Sequence, residues 1–260
     1  MDRGELIDIS NRYLDALMSR DPGNIPLADE ATRTDHGKLV ADGADKIRAY
    51  IEREPTCAIT SRRHLVDGDD VVVVYDLDVE LDAERDEGGE TQQVFVYLME
   101  RFHFVDGMIT EIEPVYATDA SRRPRPDRPS RYPATTPSRA EVVDTATKYL
   151  DALVSHVGSE VPLAPEAWRI ENGHNSGDSG PAIAAALEID IMKVVAGITE
   201  TRWYVEGDTG IAYYTLHVDA SLMPGAAADE TGQRRVAMAE RFRVHEGEVC
   251  EIEAVIGAEM

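Results

Sequence analysis

The sequence predicts an α+β protein in which one domain occurs twice. A segment that begins "RYLDALMSRDPGNIPLADEATRTDHG" at Arg12 returns at Lys148 as "KYLDALVSHVGSEVPLAPEAWRIENG". A long internal match of this kind indicates duplicated structure. In each copy, apolar residues at helical spacing come first and strand-like alternation follows. That order favours helices packed on one face of a bent antiparallel sheet.

The length of the chain fits this duplication. Its 260 residues suit two domains that each bury a core. We predict one domain at 1–118 and a second at 140–260. Residues 119–139 are rich in Pro and Arg, which favours an extended linker between the two domains.

The first copy shows how each domain begins. Leu6, Ile9, Tyr13 and Leu17 recur at helical spacing and predict an amphipathic first helix. "IPLADE" predicts a short second helix with Pro at its front. "TRTDHGKLV" indicates a strand and turn, and "DGADKIRAYIE" a third helix capped by Asp42.

Four strands are predicted after the helices: "AITSRRHLVDG", "DDVVVVYDLDVEL", "QQVFVYLMERFHFVDG" and "MITEIEPVYA", with turns at "DGD" and "EGG". Residues two apart on a strand share a face. The set predicted to face the interior is therefore Tyr75, Leu77, Val79, Glu100, Phe102 and Phe104. The acids expected on a solvated face are Asp76, Asp78 and Glu80.

Charge and composition exclude several classes of function. The net charge of −24 repels phosphate backbones and anionic membranes, so we expect no nucleic-acid partner. We find no secretory signal and no apolar run of the ~20 residues that span a bilayer, so we expect a cytoplasmic protein without membrane contact.

No sequence feature indicates a cofactor. Cys57 and Cys250 lie in different copies and form neither a disulfide framework nor a zinc site. Histidine spacings typical of metal ligands and glycine patterns typical of nucleotide binding do not occur in the chain. We therefore expect neither metal nor cofactor.

Paired acids are the sharpest chemical signal in the first copy. Arg33 and Asp35 are two residues apart, and a neighbouring guanidinium favours the ionised carboxylate. Glu100 precedes Phe102 on the interior face, where desolvation favours the neutral acid. Two acids held in different ionisation states can act as base and acid.

The second copy repeats this arrangement with Arg169, Glu171 and Glu240. Each copy is thus expected to place a charged carboxyl opposite an uncharged one across an apolar interior. The alternative is that the Arg and acid pairs lie at the rim, with Glu100 and Glu240 paired to an Arg of the other copy.

A Tyr on the first helix, an acid after the first strand and "F-x-F-x-D-G" before the last strand occur in this order. In this respect the chain resembles the ketosteroid isomerase and SnoaL-like proteins of the nuclear transport factor 2-like superfamily. The resemblance implies two tandem cone-shaped α+β barrels, with helices on a curved, mostly antiparallel sheet. It also implies that the barrels pack as an intramolecular pseudo-dimer, in a monomer or a homodimer.

The resemblance also implies a catalytic set: a Tyr on helix one, an acid base after strand one and a late neutral acid. The matching residues of the first copy are Tyr13, Asp35 and Glu100. Those of the second copy are Tyr149, Glu171 and Glu240. Glu in place of Asp moves the late carboxyl, so we do not predict a steroid isomerase.

Candidate substrate-binding residues lie near these acids in both copies. In the first copy they are Arg33, His64, Tyr75 and Phe102. In the second they are Trp168, Arg169, Trp203, Tyr214 and Phe242, an aromatic set that suits an apolar ligand.

These observations favour a cofactor-free acid–base enzyme acting on a small, largely apolar molecule. The resemblance implies isomerisation, aldol-type cyclisation or epoxide opening, as in biosynthetic members of the family. Limonene-type epoxide hydrolases of this fold use an Arg with two acids around a water. The alternative is a non-catalytic ligand-binding or scaffold module of the same fold.

Overall fold

A computed structural model of the chain divides it into unit 1 (Met1–Arg125) and unit 2 (Pro126–Met260). The structure describes residues 1–54, 56–81, 92–119, 128–222 and 232–259. The predicted turn at "EGG" lies outside these residues. Each unit forms its own apolar core.

The described part of unit 1 contains two helices and six strands. They are α1 (Arg3–Ser19), β1 (Leu27–Asp35), β2 (Lys38–Asp42), α2 (Ala44–Arg53), β3 (Thr56–Asp67), β4 (Asp70–Leu81), β5 (Gln92–Val105) and β6 (Met108–Asp119).

Unit 2 repeats the order of unit 1. Its longer elements are α3 (Arg139–Ser155), β7 (Leu163–Glu171), β8 (His174–Gly177), α4 (Gly180–Leu187), β9 (Val195–Glu206), β10 (Thr209–Asp219), β11 (Gln233–His245) and β12 (Glu248–Glu259). Short 3₁₀ turns lie at Gly158–Glu160, Asp190–Val194 and Ala220–Leu222.

Each unit holds one mixed sheet. The strand order is β2-β1-β6-β5-β4-β3 in unit 1 and β8-β7-β12-β11-β10-β9 in unit 2. The first long strand of each unit runs parallel to the last, and the other pairings are antiparallel. The predicted tandem α+β organisation is confirmed.

The first helix of each unit begins with a capping box. Asp2 accepts a hydrogen bond from the Glu5 N–H at 2.9 Å, and the Glu5 side chain accepts one from the Asp2 N–H. Ser138 and Glu141 make the same reciprocal pair at the start of α3. These contacts satisfy N–H groups that a helix start leaves unbonded.

The helices cover the inner face of each sheet. In unit 1, α1 contacts β3 and β4 while α2 contacts β1. The apolar stripe predicted on the first helix is confirmed, because Leu6, Ile9, Tyr13 and Leu17 are all buried. Burial of such a stripe is the main stabilising contribution of an amphipathic helix.

The predicted short helix at "IPLADE" is wrong, because Leu27–Asp35 forms strand β1. The Pro26 carbonyl accepts a hydrogen bond from the Ile109 N–H, and Arg33 pairs with Ile112 of β6. Pairing with a strand distant in sequence outweighs the weak local helix signal.

Two further expectations are corrected. Asp42 ends β2, and the residue that precedes α2 is Gly43, which provides no side-chain cap. Asp76 is buried rather than solvated, and Ser61 on the neighbouring strand donates a hydrogen bond to its carboxylate at 3.2 Å. A partner on β3 satisfies this acid away from water.

The described part of the predicted linker is bonded to unit 2. Arg128 pairs with Asp178, and the Tyr132 hydroxyl accepts a hydrogen bond from the Glu166 N–H. Arg243 donates to the Tyr132 carbonyl and to Ser130. These contacts fix the chain before α3.

The acid–polar–Gly sequence that ends each opening match forms a tight hairpin turn. His36 and Gly37 have φ of 50° and 79°, and Asn172 and Gly173 have 45° and 77°. Two consecutive left-handed residues are typical of a type I′ turn, which fits the twist of the flanking strands.

We expect Gly173→Ala to lower the free energy of unfolding of unit 2 by about 1–2 kcal/mol, because Ala disfavours a left-handed backbone. Both tryptophans lie in unit 2, so urea titration followed by tryptophan fluorescence reports on this unit. Gly197→Ala is the control, since a Cβ there meets nothing within 4 Å. Equal stability of the two variants would contradict the prediction.

Candidate functional site

Arg33 lies at the centre of the candidate site in unit 1. Its Nη1 is 2.8 Å from Glu100 Oε1 and 2.5 Å from the Tyr13 hydroxyl oxygen. Its Nε is 3.0 Å from Asp35 Oδ1. One buried guanidinium therefore joins both predicted acids and the predicted tyrosine. Burial of this cation requires partners of this kind.

Glu100 is fully buried and bonded at both oxygens. The Tyr75 hydroxyl donates to Glu100 Oε2 at 2.5 Å, while Arg33 holds Oε1. Burial raises the pKa of Glu100, and the two bonds offset this in part. The predicted strand face is confirmed, since Phe102 and Phe104 are buried with Glu100 in the core.

A tyrosine that sequence reasoning missed covers Arg33. The Tyr50 ring lies on α2, and its centroid is 4.5 Å from Arg33 Cζ, a cation–π contact. Burial raises the pKa of Tyr50 and keeps its hydroxyl protonated. Tyr50 follows the buried Ile47 by three residues, and this helical spacing could have predicted that it lies on the same face of α2.

A cavity of about 290 Å³ opens beside this cluster. Arg33, Tyr50, Tyr75, Tyr116 and Glu54 supply its polar lining. The rest of the lining is formed by Leu17, Cys57, Leu77, Val79, Val94, Val96, Leu98 and Thr118. Tyr116 could have been predicted from its spacing to Ile112 on β6. No spacing in the sequence predicts that Glu54 and Cys57 line this cavity.

The predicted opposition of two acids across an apolar interior is wrong for unit 1. Glu100 and Tyr13 are not among the residues that line the cavity, and both are fully buried behind Arg33 and Tyr75. Asp35 lies at the other end of the same guanidinium, with 12% of its side chain exposed. The alternative pairing of Glu100 with an Arg of the other copy is also wrong.

His64 does not line this cavity either. It lies on β3, and its Nε2 is 3.1 Å from the Asn11 side-chain oxygen on α1. This contact holds the imidazole against the helix, away from the predicted ligand. Phe102 contacts Tyr13 edge to face, with ring centroids 5.1 Å apart, and belongs to the core.

His36 is buried although its imidazole ring is polar. Its ring centroid is 4.2 Å from that of Tyr116, and neither ring nitrogen has a hydrogen-bond partner among the described residues. Burial lowers the pKa of His36 and favours the neutral ring. Its counterpart Asn172 instead accepts a hydrogen bond from the Ile256 N–H at 2.8 Å.

The site in unit 2 has the same residue types in a different arrangement. Arg169 pairs with Glu171 at 2.5 Å and donates to Ser176 at 2.9 Å, but its Nε is 3.8 Å from Glu240 Oε1. The Tyr214 hydroxyl donates to Glu240 Oε2 at 2.9 Å. Burial raises the pKa of Glu240 to about 7.

Aromatic rings surround Phe242 in unit 2. Its ring centroid is 5.5 Å from Tyr149 and 5.8 Å from Trp203. Trp168, predicted to bind substrate, is placed elsewhere. Trp168 is buried on β7 and precedes Arg169 in the sequence. Because neighbouring residues of a strand point to opposite faces, its side chain lies on the face of the sheet opposite to Arg169.

Both units match one protein family. A family model described as "Domain of unknown function (DUF8021)" matches residues 1–116 and 135–256. The chain belongs to the DUF8021 family. The two matched ranges correspond to the two sheets, so one DUF8021 match falls on each unit. A comparison with curated proteins gives no match.

Solved structures are similar to somewhat less than half of the chain. An NTF2-like protein from Cytophaga hutchinsonii is 16% identical, with 43% of this chain and 89% of that chain covered at a TM-score of 0.34. A protein from Shewanella putrefaciens, named as a proposed SnoaL-like polyketide cyclase, is 14% identical, with 45% and 80% covered at 0.38. An M. tuberculosis LEH-like epoxide hydrolase is 16% identical, with 46% and 85% covered at 0.37.

Candidate metal sites and candidate membrane-spanning helices are both absent from the described residues. Within the described residues, His, Cys, Asp and Glu side chains form no group of three or more that could hold a metal ion. The helices of that same part of the chain are too short or too polar to span a bilayer.

Exchange of the turn residues should change stability in opposite directions. We expect Asn172→His to lower the free energy of unfolding of unit 2 by about 1 kcal/mol, because it removes the bond to the Ile256 N–H and buries an unbonded imidazole. Tryptophan fluorescence in urea measures this loss. His36→Asn should slow hydrogen exchange in β6, and faster exchange would contradict the interpretation.

Glu240 should make unit 2 less stable as pH rises. The pKa of Glu240 rises from 4.5 in the unfolded chain to about 7 in the folded protein. Between these two pH values, the folded protein keeps the proton on Glu240, whereas the unfolded chain has released it. The contribution of Glu240 to the free energy of unfolding is fully present below pH 4.5 and is lost as the pH rises through 7. The difference is about 3 kcal/mol. Glu240→Gln should match the wild type at low pH and exceed it at pH 8 in urea titrations.

Proposed function

We propose that unit 1 is a cofactor-free acid–base enzyme that acts on a small, largely apolar molecule bearing an oxygen. The observation that carries this proposal is an apolar cavity with Arg33 and Tyr75 in its polar lining, both bonded to Glu100. Ligand sites commonly combine apolar walls with a few convergent polar groups.

The size and walls of the cavity support a small substrate. Its volume of about 290 Å³ lies at the lower end of the ~300–1,000 Å³ found for ligand pockets. Leu77, Val79 and Val96 supply apolar walls, and the polar groups gather near Arg33. A substrate would bury its hydrocarbon part against the sheet and direct its oxygen toward Arg33.

Arg33 is the proposed electrophilic group, because the Tyr75 hydroxyl already donates its single proton to Glu100 Oε2. Burial raises the pKa of Tyr75 well above its ordinary value, so this hydroxyl stays protonated and keeps its bond to Glu100. Donors fixed where negative charge develops on oxygen stabilise the transition state. Glu100 holds both groups and is a positioning residue, because its carboxyl does not line the cavity.

Asp35 is the proposed base. It is the more exposed of the two acids on Arg33, and its only described ion pair is the one to Arg33 Nε at 3.0 Å. A carboxylate fixed by one edge can use its other oxygen to accept a proton from substrate or water. Isomerisation, aldol-type cyclisation and epoxide opening each need such a base beside an oxygen that gains charge.

A binding or scaffold module is the second candidate. Both oxygens of Glu100 and Nη1 of Arg33 are hydrogen-bonded within the protein, and Arg33 Nε is ion-paired with Asp35. A cluster completed by its own residues can serve as the rigid end of a binding pocket without chemistry. Only an enzyme converts the bound molecule into a product, so a turnover assay distinguishes the two candidate functions.

We expect purified protein to convert at least one of three probes: an alkyl epoxide, a β,γ-unsaturated cyclic ketone or an open-chain diketone. Asp35→Asn should lower kcat by about 10²–10⁴-fold, because it removes the base, and chromatographic separation of substrate and product measures this. Glu171→Gln, the matched change in unit 2, should leave the rate unchanged.

Circular dichroism should show that each variant folds. Failure to turn over any probe, or equal rates for Asp35→Asn and the wild type, would contradict the enzyme proposal. Saturable binding of the same probes without turnover would instead favour the binding module.

A further inference from the structure

The two central arginines occupy different positions. Arg33 Nη1 lies 2.8 Å from Glu100, within hydrogen-bond distance. Arg169 approaches Glu240 only to 3.8 Å, through Nε, and donates through Nη1 to Ser176. Equivalent residues in two copies of one fold thus differ by whether the arginine donates a hydrogen bond to the late acid.

A bulge places Ser176 beside Arg169. On β8, Gly177 pairs with Arg169 and Asn175 pairs with Ile170, so Ser176 is the extra residue between them. In unit 1, Ala41 pairs with Arg33 and Leu39 with Thr34, which leaves Val40 in the same position. β-Bulges redirect side chains near functional sites.

The bulge residue provides Arg169 Nη1 with an acceptor in addition to Glu171, which lies 2.5 Å from the same atom. The Ser176 hydroxyl oxygen accepts a hydrogen bond from Arg169 Nη1 at 2.9 Å and donates to the Arg169 carbonyl at 3.3 Å. Val40 has no polar atom in its side chain and cannot offer this acceptor. Arg33 therefore has no competing acceptor on β2 at this position.

A second difference acts in the same direction. The Tyr50 ring covers the Arg33 guanidinium, with its centroid 4.5 Å from Cζ. The residue at the same place on α4 is Ala186, seven residues after the helix-capping Ser179, as Tyr50 is seven after Gly43. No tyrosine at this position of α4 covers Arg169.

We propose that Ser176 is a positioning residue that, together with Glu171, holds Arg169 away from the buried Glu240 carboxyl. Glu240 Oε1 and Arg169 Nε are buried without a hydrogen-bond partner among the described residues. The two units therefore differ at the late acid: Glu100 is hydrogen-bonded to the central arginine, and Glu240 is not. This inference is independent of the function proposed for unit 1.

The charged and titratable groups around Glu240 come from three elements. Arg169 and Glu171 lie on β7, Tyr149 on α3 and Tyr214 on β10. Arg169 is the one cation that acts on Glu240 within the described residues. Its distance thus sets how strongly the ionised carboxylate is favoured.

Carbon-13 NMR of glutamate-labelled full-length protein tests this inference. Glu240→Gln identifies the Glu240 signal by its loss, and the titration midpoint of that signal is the readout. Ser176→Val should lower the midpoint by about one pH unit, because Arg169 Nη1 loses one of the two acceptors, Ser176 and Glu171, that hold it away from Glu240. Ser176→Thr keeps the hydroxyl and should titrate like the wild type.

Adding Ala186→Tyr to Ser176→Val should lower the midpoint further, since the ring covers Arg169. An unchanged midpoint in Ser176→Val, or the same decrease in Ser176→Thr, would overturn the proposal. Val occurs at the same bulge in unit 1, so the variant should fold. Tryptophan fluorescence verifies this.

Discussion

Burial of a guanidinium on the first strand is the constraint on which each unit depends. An unpaired buried cation costs several kcal/mol, whereas a cation bonded to carboxylates and hydroxyls is tolerated. In unit 1, β1 supplies Arg33 and Asp35, β5 supplies Glu100, and α1 supplies Tyr13. The parallel pairing of β1 with β6 brings these elements together. The contacts between these elements in the folded unit are therefore the same contacts that satisfy the buried charge of Arg33.

Much of the fold could be predicted because its signals are local. The helical stripe from Leu6 to Leu17 and the alternation through Glu100 each depend on residues close in sequence. The errors at "IPLADE" and Asp76 share one cause. Whether Leu27 joins a strand, and whether Asp76 finds Ser61, depends on strand partners that local spacing does not reveal.

The candidate site was predictable only in part. The Arg33 and Asp35 pair follows from a spacing of two on one strand. Tyr50 belongs to a helix whose spacing predicts a buried face but not what that face covers. Ser176 was invisible to sequence reasoning, because a bulge changes which side chain faces a neighbour without a signature in one sequence.

The two-residue turn between the first pair of strands has a consequence for how relatives can differ. Because alternation along a strand has a period of two, an insertion or deletion of one residue in the turn at His36 would shift the register of β2 against β1 and exchange the faces of the β2 side chains. The buried Ala41 would then lie on the outer face of β2. Descendants of this duplication should therefore conserve the length of that hairpin even where its amino acids diverge.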